Sequence, residues 1–225
     1  MNTILEYSPE EILDRGNCFK LLAACFYEPE KKLFIEEALC EKLYGLLEKC
    51  APGAAGYVKT MQESLLKLEE QQLKIDYSAL FVGPFELIAA PYGSIYLENE
   101  RKVMGESTLA VQRFYENSGL MLDIQEPPDH IAIELEFMSF LCISEAEALA
   151  TGDMETAIRQ RELQVDFATT MMSWIPLLAE NIQAGAQTEY YKALASCLER
   201  FYDISLAIYD PGVTPACYEQ PNTCS

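Results

Sequence analysis

Segment 126–142 reads EPPDHIAIELEFMSFLC and contains the start of a long helix. Two prolines precede Asp129, and a short acidic side chain is preferred at a helix N-cap. Beyond it, apolar side chains recur at helical spacing, at Leu135, Met138, Leu141 and Cys142. Gly152 follows them, and glycine commonly ends helices in the left-handed conformation. We therefore predict one helix that begins with Asp129 as its N-cap and extends to Gly152.

Another helix start lies at Ser8-Pro9-Glu10-Glu11. Its serine is a preferred N-cap, its proline suits the first helical position, and Glu11 completes a capping box. The apolar side chains that follow form one stripe, at Ile12, Phe19, Leu22 and Phe26. This helix is expected to run to about Glu28 and to stop at Pro29.

Further helical patterns span residues 34–50, 58–72, 109–119, 153–174 and 188–206. The first of these ends in the breaker cluster Ala51-Pro52-Gly53. Asp153 is expected to cap the fourth, and Pro176 to kink or break the chain after it. No segment alternates apolar and polar side chains over strand lengths. The prediction is an all-α, single-domain helical bundle over residues 1–208, with a proline-containing tail over 209–225.

The chain has 225 residues and a formal net charge of −20. This charge disfavours nucleic acid and anionic lipid as partners, because both attract Lys and Arg, and it favours a basic partner. The N-terminus lacks the basic segment and apolar run of a secretory signal, and no apolar run reaches membrane-spanning length. We expect a cytoplasmic protein without stable membrane insertion.

Eight cysteines are present at irregular spacings. Six lie among apolar residues of helical patterns, where a free thiol packs as a small hydrophobe: Cys18, Cys25, Cys40, Cys50, Cys142 and Cys197. Cys217 and Cys224 fall in the tail. Without a Cys-x-x-Cys motif, a P-loop or a dinucleotide fingerprint, we predict neither a metal site nor a cofactor.

The segment from Asp76 to Gly105 breaks the helical periodicity with glycine and proline, yet it is rich in Tyr, Phe, Leu and Ile. Such a connection is longer than helix packing requires, and long loops often carry function. His130 and Glu134 are four residues apart, a spacing that fits half of a metal site or an acid/base pair. The alternative is a structural histidine at a helix start. We expect no enzymatic activity, because the other members of such a site are absent nearby.

Three stretches together resemble the TorD/DmsD family of chaperones for molybdenum-containing redox enzymes. They are DYSALFVGP at 76–84, APYGSIY at 90–96 followed by MGE at 104–106, and EPPDHIA at 126–132 followed by ELEFM at 134–138. The later Trp174-Ile175-Pro176 also fits the family. Thr170 stands where family members often have a histidine, which weakens any role of that position. The resemblance implies a helical bundle of the TorD-like type.

The resemblance also implies a function. Family members bind a molybdenum-containing oxidoreductase subunit through its twin-arginine signal peptide, in its apo form, or both. They assist maturation of that subunit before export. Carried over to this chain, with the carboxylate of Glu126 added on physical grounds, the peptide-binding residues are Tyr77, Leu80, Phe81, Pro91, Tyr92, Glu126, Asp129 and His130. Asp129 is expected both to cap its helix and to accept charge from the peptide. Leu80 and Phe81 are equally well explained as core residues.

Three questions stay open at this point. An assembly chaperone of this kind can instead grip the catalytic subunit independently of its signal peptide. Guanine-nucleotide binding is a further alternative, although the missing P-loop weighs against it. The protein is expected to be a monomer or a domain-swapped dimer that uses the linker 123–128 as a hinge. The sequence of this chain does not identify the client enzyme.

Overall fold

A computed structural model describes residues 7–83, 87–98, 104–121 and 126–209. Within these ranges the chain folds into eleven α-helices. They are α1 (Pro9–Ala24), α2 (Lys31–Glu36), α3 (Leu39–Cys50), α4 (Pro52–Lys67), α5 (Glu70–Tyr77), α6 (Ser94–Leu97), α7 (Glu106–Asn117), α8 (Ile131–Thr151), α9 (Met154–Thr170), α10 (Ile175–Gly185) and α11 (Glu189–Tyr209). A π-helical turn, Ser78–Val82, continues α5. No β-strand occurs in the described ranges, so the all-α prediction is confirmed.

The predicted start of α1 is confirmed by its capping box. The backbone N–H of Glu11 donates to Ser8 Oγ at 3.2 Å, and the N–H of Ser8 donates to Glu11 Oε2 at 2.7 Å. The helix ends at Ala24, before the expected Glu28, because the N–H groups of Cys25 and Phe26 turn back to carbonyls three residues earlier. This tighter turn satisfies the last carbonyls of the helix.

Two predicted helices are each divided in two. Ala38 adopts the left-handed conformation at φ 50° and separates α2 from α3. The pattern at 58–72 is split near Leu68, whose extended backbone ends α4. The breaker cluster Ala51-Pro52-Gly53 does separate two helices, but Pro52 itself begins α4, as proline suits the first turn.

Helix α8 is the centre of the bundle. It packs against α1 on one side and α9 on the other, while α11 packs against α4 and α10. Because α8 is covered on several sides, buried side chains lie on most of its faces rather than on one stripe. Gly16 allows α1 to approach closely, since a Cβ there would lie 2.9 Å from Cys142 Cβ.

A buried polar network joins α1, α8 and α9. Arg161 Nε lies 3.1 Å from Glu145 Oε1, and a terminal guanidinium nitrogen of Arg15 lies 3.8 Å from Glu145 Oε2. Gln164 donates to Glu145 Oε2 at 2.7 Å and accepts from Arg15 at 3.2 Å. Buried charges are tolerated when they are paired in this way. The network fixes how the three helices are oriented relative to one another.

The C-terminal helices follow the sequence predictions closely. Asp153 Oδ1 accepts the N–H of Thr156 at 3.1 Å and caps α9, and Gly152 ends α8 at φ 78°. The break near Pro176 is confirmed, although α9 already ends at Thr170 and the proline lies in the first turn of α10. Helix α11 begins after Thr188, as expected.

No helix in the described part of the chain is both long and apolar enough to cross a membrane. The six cysteines predicted to be reduced are free, and all but the half-buried Cys50 are buried. Cys217 and Cys224 lie outside the described residues, as do Pro84 and the first half of the proposed hinge, at 123–125. The division into a domain at 1–208 and a tail at 209–225 stays a prediction.

Candidate functional site

An isolated antiparallel bridge joins the Pro-Tyr-Gly loop to the start of α8. Tyr92 faces His130, the N–H of Ile131 donates to the carbonyl of Pro91 at 2.8 Å, and the N–H of Gly93 donates to the carbonyl of Asp129 at 2.9 Å. The bridge brings together two of the three stretches on which the family resemblance rests. These two stretches, 90–96 and 126–132, are far apart in the sequence.

His130, rather than Asp129, is the N-cap of α8, so the sequence prediction is wrong on this point. The backbone of His130 is extended, and its Nδ1 accepts the N–H of Ala132 at 3.2 Å. An acceptor at Nδ1 requires a neutral ring with its proton on Nε2. Burial lowers the pKa of His130, while Glu126 and Asp129 oppose that shift.

Asp129 is buried and turned towards α6. Its Oδ2 accepts the N–H of Ser94 at 2.8 Å, and its Oδ1 has no hydrogen-bond partner. The carboxylate therefore holds the Pro-Tyr-Gly loop in place from the inside. With 1% of its surface exposed, it presents no charge to a ligand in this conformation. Direct pairing with a peptide stays a prediction.

Glu134 and His130 do not form the metal or acid/base pair that their spacing allows. Glu134 is fully buried and its Oε2 accepts from Trp174 Nε1 at 3.1 Å. Burial raises the pKa of Glu134 well above its usual value, Asp129 adds to the rise, and the indole hydrogen bond opposes it. Among the described residues, no three His, Cys, Asp or Glu side chains are grouped as a metal site would require.

Two tyrosines flank the ring of His130, which is itself buried with 5% of its surface exposed. The ring of Tyr27 stacks on His130 at a centroid distance of 6.2 Å, and that of Tyr92 meets it edge to face at 5.4 Å. Each hydroxyl donates to a glutamate, Tyr27 to Glu136 and Tyr92 to Glu126, both at 3.1 Å. Aromatic rings and carboxylates therefore alternate across the start of α8.

Tyr77 extends this surface at the end of α5. Its hydroxyl donates to the carbonyl of Phe26 at 3.5 Å, and its ring is half-buried. Burial, followed by the negative charges of Glu126 and Glu28, raises the pKa of Tyr77 to about 12. We call the whole surface the acidic aromatic face, and it consists of Tyr27, Glu28, Tyr77, Tyr92, Glu126, His130 and Glu136.

The electrostatic field on this face is negative. Burial, followed by the Coulombic effect of Glu126, raises the pKa of Tyr92 to about 12. The pKa of Tyr27 is also raised, first by burial and then by the negative charges of Glu136 and Glu126. Apart from Tyr77, each titratable side chain that raises the pKa of these two hydroxyl groups is a carboxylate. A cation placed among the rings would meet carboxylates on several sides.

Three other predicted site residues lie beneath the face. Leu80, Phe81 and Pro91 are buried, so in this conformation they offer no exposed surface to a peptide. The ring of Phe81 contacts those of Phe26, Tyr77 and Tyr191 at 5.4–5.9 Å. The core interpretation of Leu80 and Phe81 therefore fits this conformation, and any direct contact with a ligand stays a prediction.

Three members of the face were not predicted from the sequence. Tyr27 and Glu28 follow α1, and Glu136 lies within α8. The only hint of Glu136 in the sequence is that it is one of two glutamates, with Glu134, in the mostly apolar segment 131–142. Tyr27 and Glu28 have no local signal, since only tertiary packing brings Tyr27 to His130 and Glu28 near Tyr77.

Comparison with known proteins places this arrangement in a family. A family model described as the nitrate reductase delta subunit matches residues 47–180. The perchlorate reductase assembly chaperone protein of Dechloromonas aromatica (strain RCB) is 30% identical over 221 residues, covering 92% of this chain and 96% of its own. The chain belongs to this family of TorD/DmsD-like maturation chaperones.

Other relatives agree with the assignment. Chaperone protein TorD of Vibrio parahaemolyticus is 26% identical over 158 residues, which cover 67% of this chain and 72% of that protein. The crystal structure of a redox enzyme maturation protein from Archaeoglobus fulgidus has the same fold, with a TM-score of 0.53, 23% identity and coverage of 81% and 90% of the two chains. The relatives are named as chaperones rather than catalytic enzymes, so this member is a chaperone and not an enzyme.

Proposed function

We propose that this chaperone acts in the cytoplasm, where it binds the twin-arginine signal peptide of a molybdenum-containing oxidoreductase subunit and assists maturation of that subunit before export. The observation that carries the proposal is the acidic aromatic face. Its carboxylates and rings are arranged around the neutral His130, at the bridge between the Pro-Tyr-Gly loop and α8.

The chemistry of the face suits arginine. A guanidinium group stacks on aromatic rings and pairs with carboxylates through several N–H donors. Tyr27 and Tyr92 offer rings that are partly exposed, and Glu136 and Glu126 lie 3.1 Å from their hydroxyl groups. A peptide arginine can therefore contact a ring and a carboxylate together. Two such ring-carboxylate units match two consecutive arginines.

The buried predicted residues have a supporting role in this proposal. Asp129 holds the Pro-Tyr-Gly loop through Ser94, and Phe81 packs beneath Tyr77. Together with Leu80 and Pro91 they fix the positions of the exposed rings. Rigid rings lose little conformational entropy when a ligand binds, so this support strengthens binding.

The client class is inferred from the family. One relative is named for the assembly of perchlorate reductase, and the family model is named for nitrate reductase. A reductase subunit that carries a molybdenum cofactor is therefore the proposed client. The chain's net charge of −20 also favours a basic segment such as the start of a twin-arginine signal.

The test is a calorimetric titration with a synthetic twin-arginine signal peptide. The double variant Glu126→Gln/Glu136→Gln removes both charges and keeps similar side-chain shapes. We expect its affinity to be about tenfold lower, as two partly exposed ion pairs contribute about 1 kcal/mol or more together. A peptide with both arginines replaced by glutamine should bind wild type and variant equally weakly.

The control variant, Glu147→Gln/Glu162→Gln, removes two exposed charges elsewhere on α8 and α9. It changes net charge by the same amount and should bind like the wild type. Equal losses in both variants would point to net charge alone and would refute the assignment to the face. The same titration can be made with a client subunit that lacks its signal peptide. Binding with full affinity would indicate that the chaperone contacts the catalytic subunit independently of the signal peptide.

A further inference from the structure

Two thiols face each other between α1 and α3. The sulfur atoms of Cys18 and Cys50 are 3.5 Å apart, and both cysteines are free. Cys18 is fully buried, whereas Cys50, the last residue of α3, is half-buried. The distance exceeds that of a disulfide by about 1.5 Å, which rotation of the two side chains can close.

Cys50 also borders a small cavity of about 90 Å³ at this end of α3. Arg15 and Lys49 contribute positive charges to the lining, and Glu11 and Asp14 contribute negative ones. A water molecule occupies roughly 30 Å³ in the liquid, so the cavity accommodates a molecule as small as hydrogen peroxide. The half-buried thiol is therefore accessible to a small oxidant, while its partner is shielded.

Either sulfur can donate the proton in this contact, and the half-buried Cys50 is the one of the two that borders the cavity. A hydrogen bond from the Cys18 thiol lowers the pKa of Cys50, and the charge of Arg15 adds to this effect against burial and Asp14. The same hydrogen bond, with burial, raises the pKa of Cys18. A thiolate is the reactive form of cysteine, so Cys50 is the better nucleophile of the pair.

We propose that Cys18 and Cys50 are a peroxide-sensitive pair that oxidises to a disulfide joining α1 to α3. The Cys50 thiolate attacks one oxygen of hydrogen peroxide, so that an S–O bond forms, the O–O bond breaks, and hydroxide leaves. The sulfur of Cys18 then attacks Cys50, forming the S–S bond and breaking the S–O bond.

The second hydroxide takes the remaining proton and leaves as water. In total, two thiols and one hydrogen peroxide yield one disulfide and two water molecules. The thiols lose two electrons, which the peroxide accepts. This property is separate from peptide binding, because neither cysteine belongs to the acidic aromatic face.

The test uses the full-length chain treated with a few equivalents of hydrogen peroxide, then alkylated and digested with trypsin. Cleavage places the two cysteines in separate peptides, GNCFK at 16–20 and CAPGAAGYVK at 50–59, each with a single cysteine. We expect these two peptides to be joined and to separate on reduction with dithiothreitol. Cys197, which is fully buried on α11, should remain alkylatable after unfolding.

Two variants test the order of events. In Cys18→Ala no partner remains, so Cys50 should accumulate as a sulfenic acid that dimedone traps. In Cys50→Ser, Cys18 should stay reduced at the same peroxide concentration, with circular dichroism confirming that both variants are folded. The proposal is overturned if the joined peptide is absent while other cysteines are oxidised, or if the pair stays reduced at peroxide levels that oxidise an exposed thiol.

Discussion

Glu134 shows how one buried residue contributes to the centre of the site. Its carboxyl group lies between Trp174, which donates to Oε2, and Gly93, where an added Cβ would come within 3.3 Å of Oε1. Burial and the nearby Asp129 both disfavour a negative charge there. The carboxyl group is therefore held in its neutral form over a wider pH range than an ordinary glutamate.

This raised pKa predicts a pH-dependent effect of Glu134→Gln. Above the ordinary value of 4.5, the unfolded chain releases the proton that the folded chain keeps, so the stability of the wild type falls as pH rises towards the folded pKa. Glutamine keeps an oxygen acceptor for Trp174 without any charge. We expect the variant to gain about 1 kcal/mol or more over wild type between pH 5 and pH 8, measured by urea unfolding.

Glu147→Gln serves as the control for this experiment, because Glu147 is an exposed residue of the same helix. Its stability difference from wild type should stay constant over that pH range. A difference for Glu134→Gln that is also constant with pH would show that the carboxyl group ionises normally and would contradict the expected proton retention.

At the scale of single helices, caps were predictable where both partners are close in sequence. Ser8 with Glu11, and Asp153 with Thr156, are three residues apart and were found as expected. The start of α11 is different. Its N–H groups at Gln187 and Thr188 donate to Asp76, which lies 111 and 112 residues earlier. No local pattern at 188 indicates that partner.

Two helical glycines give opposite predictions. At Gly16, a Cβ would lie 2.9 Å from Cys142 Cβ and 3.3 Å from a backbone carbonyl, so Gly16→Ala should force α1 away from α8. Gly45 lies on the exposed side of α3 with nothing within 4 Å. We expect Gly16→Ala to lower stability by about 1–3 kcal/mol and Gly45→Ala to raise it by about 0.5–1 kcal/mol.

Chemical denaturation of both variants measures these values, and each glycine is the control for the other. Alanine favours a helix equally at both positions, so the difference between the variants isolates the packing of α1 on α8. If Gly16→Ala proved as stable as Gly45→Ala, the two helices would not be in the close contact described above.

At the scale of the whole molecule, the acidic aromatic face is assembled from distant parts of the chain. Tyr27 follows α1, Tyr77 ends α5, Tyr92 belongs to the loop before α6, and Glu126 precedes α8. Gathering several carboxylates on one face is unfavourable for the free protein. A cationic partner would relieve that repulsion, which connects the net charge of −20 to the proposed function.

This charge predicts two opposite effects of salt. Sodium chloride screens the repulsion between carboxylates, so the Tm of the free protein should rise by about 2–5 °C between 20 mM and 500 mM salt. The same screening should weaken binding of a twin-arginine peptide several-fold over that range. Differential scanning calorimetry and titration calorimetry measure the two effects. A Tm that falls with salt would mean that attractive ion pairs outweigh the repulsion.

The sequence by itself determined the all-α class, the starts of α1, α9 and α11, and the family, because these depend on local caps, apolar periodicity and short motifs. It also singled out the Pro-Tyr-Gly loop and the start of α8, two segments that meet in the structure. Only the tertiary structure decided that His130 caps α8, that Asp129 turns inward, and that Tyr27 reaches the site. The physical reason is that burial and long-range hydrogen bonds depend on which helices pack together, and residues far apart in sequence determine that packing.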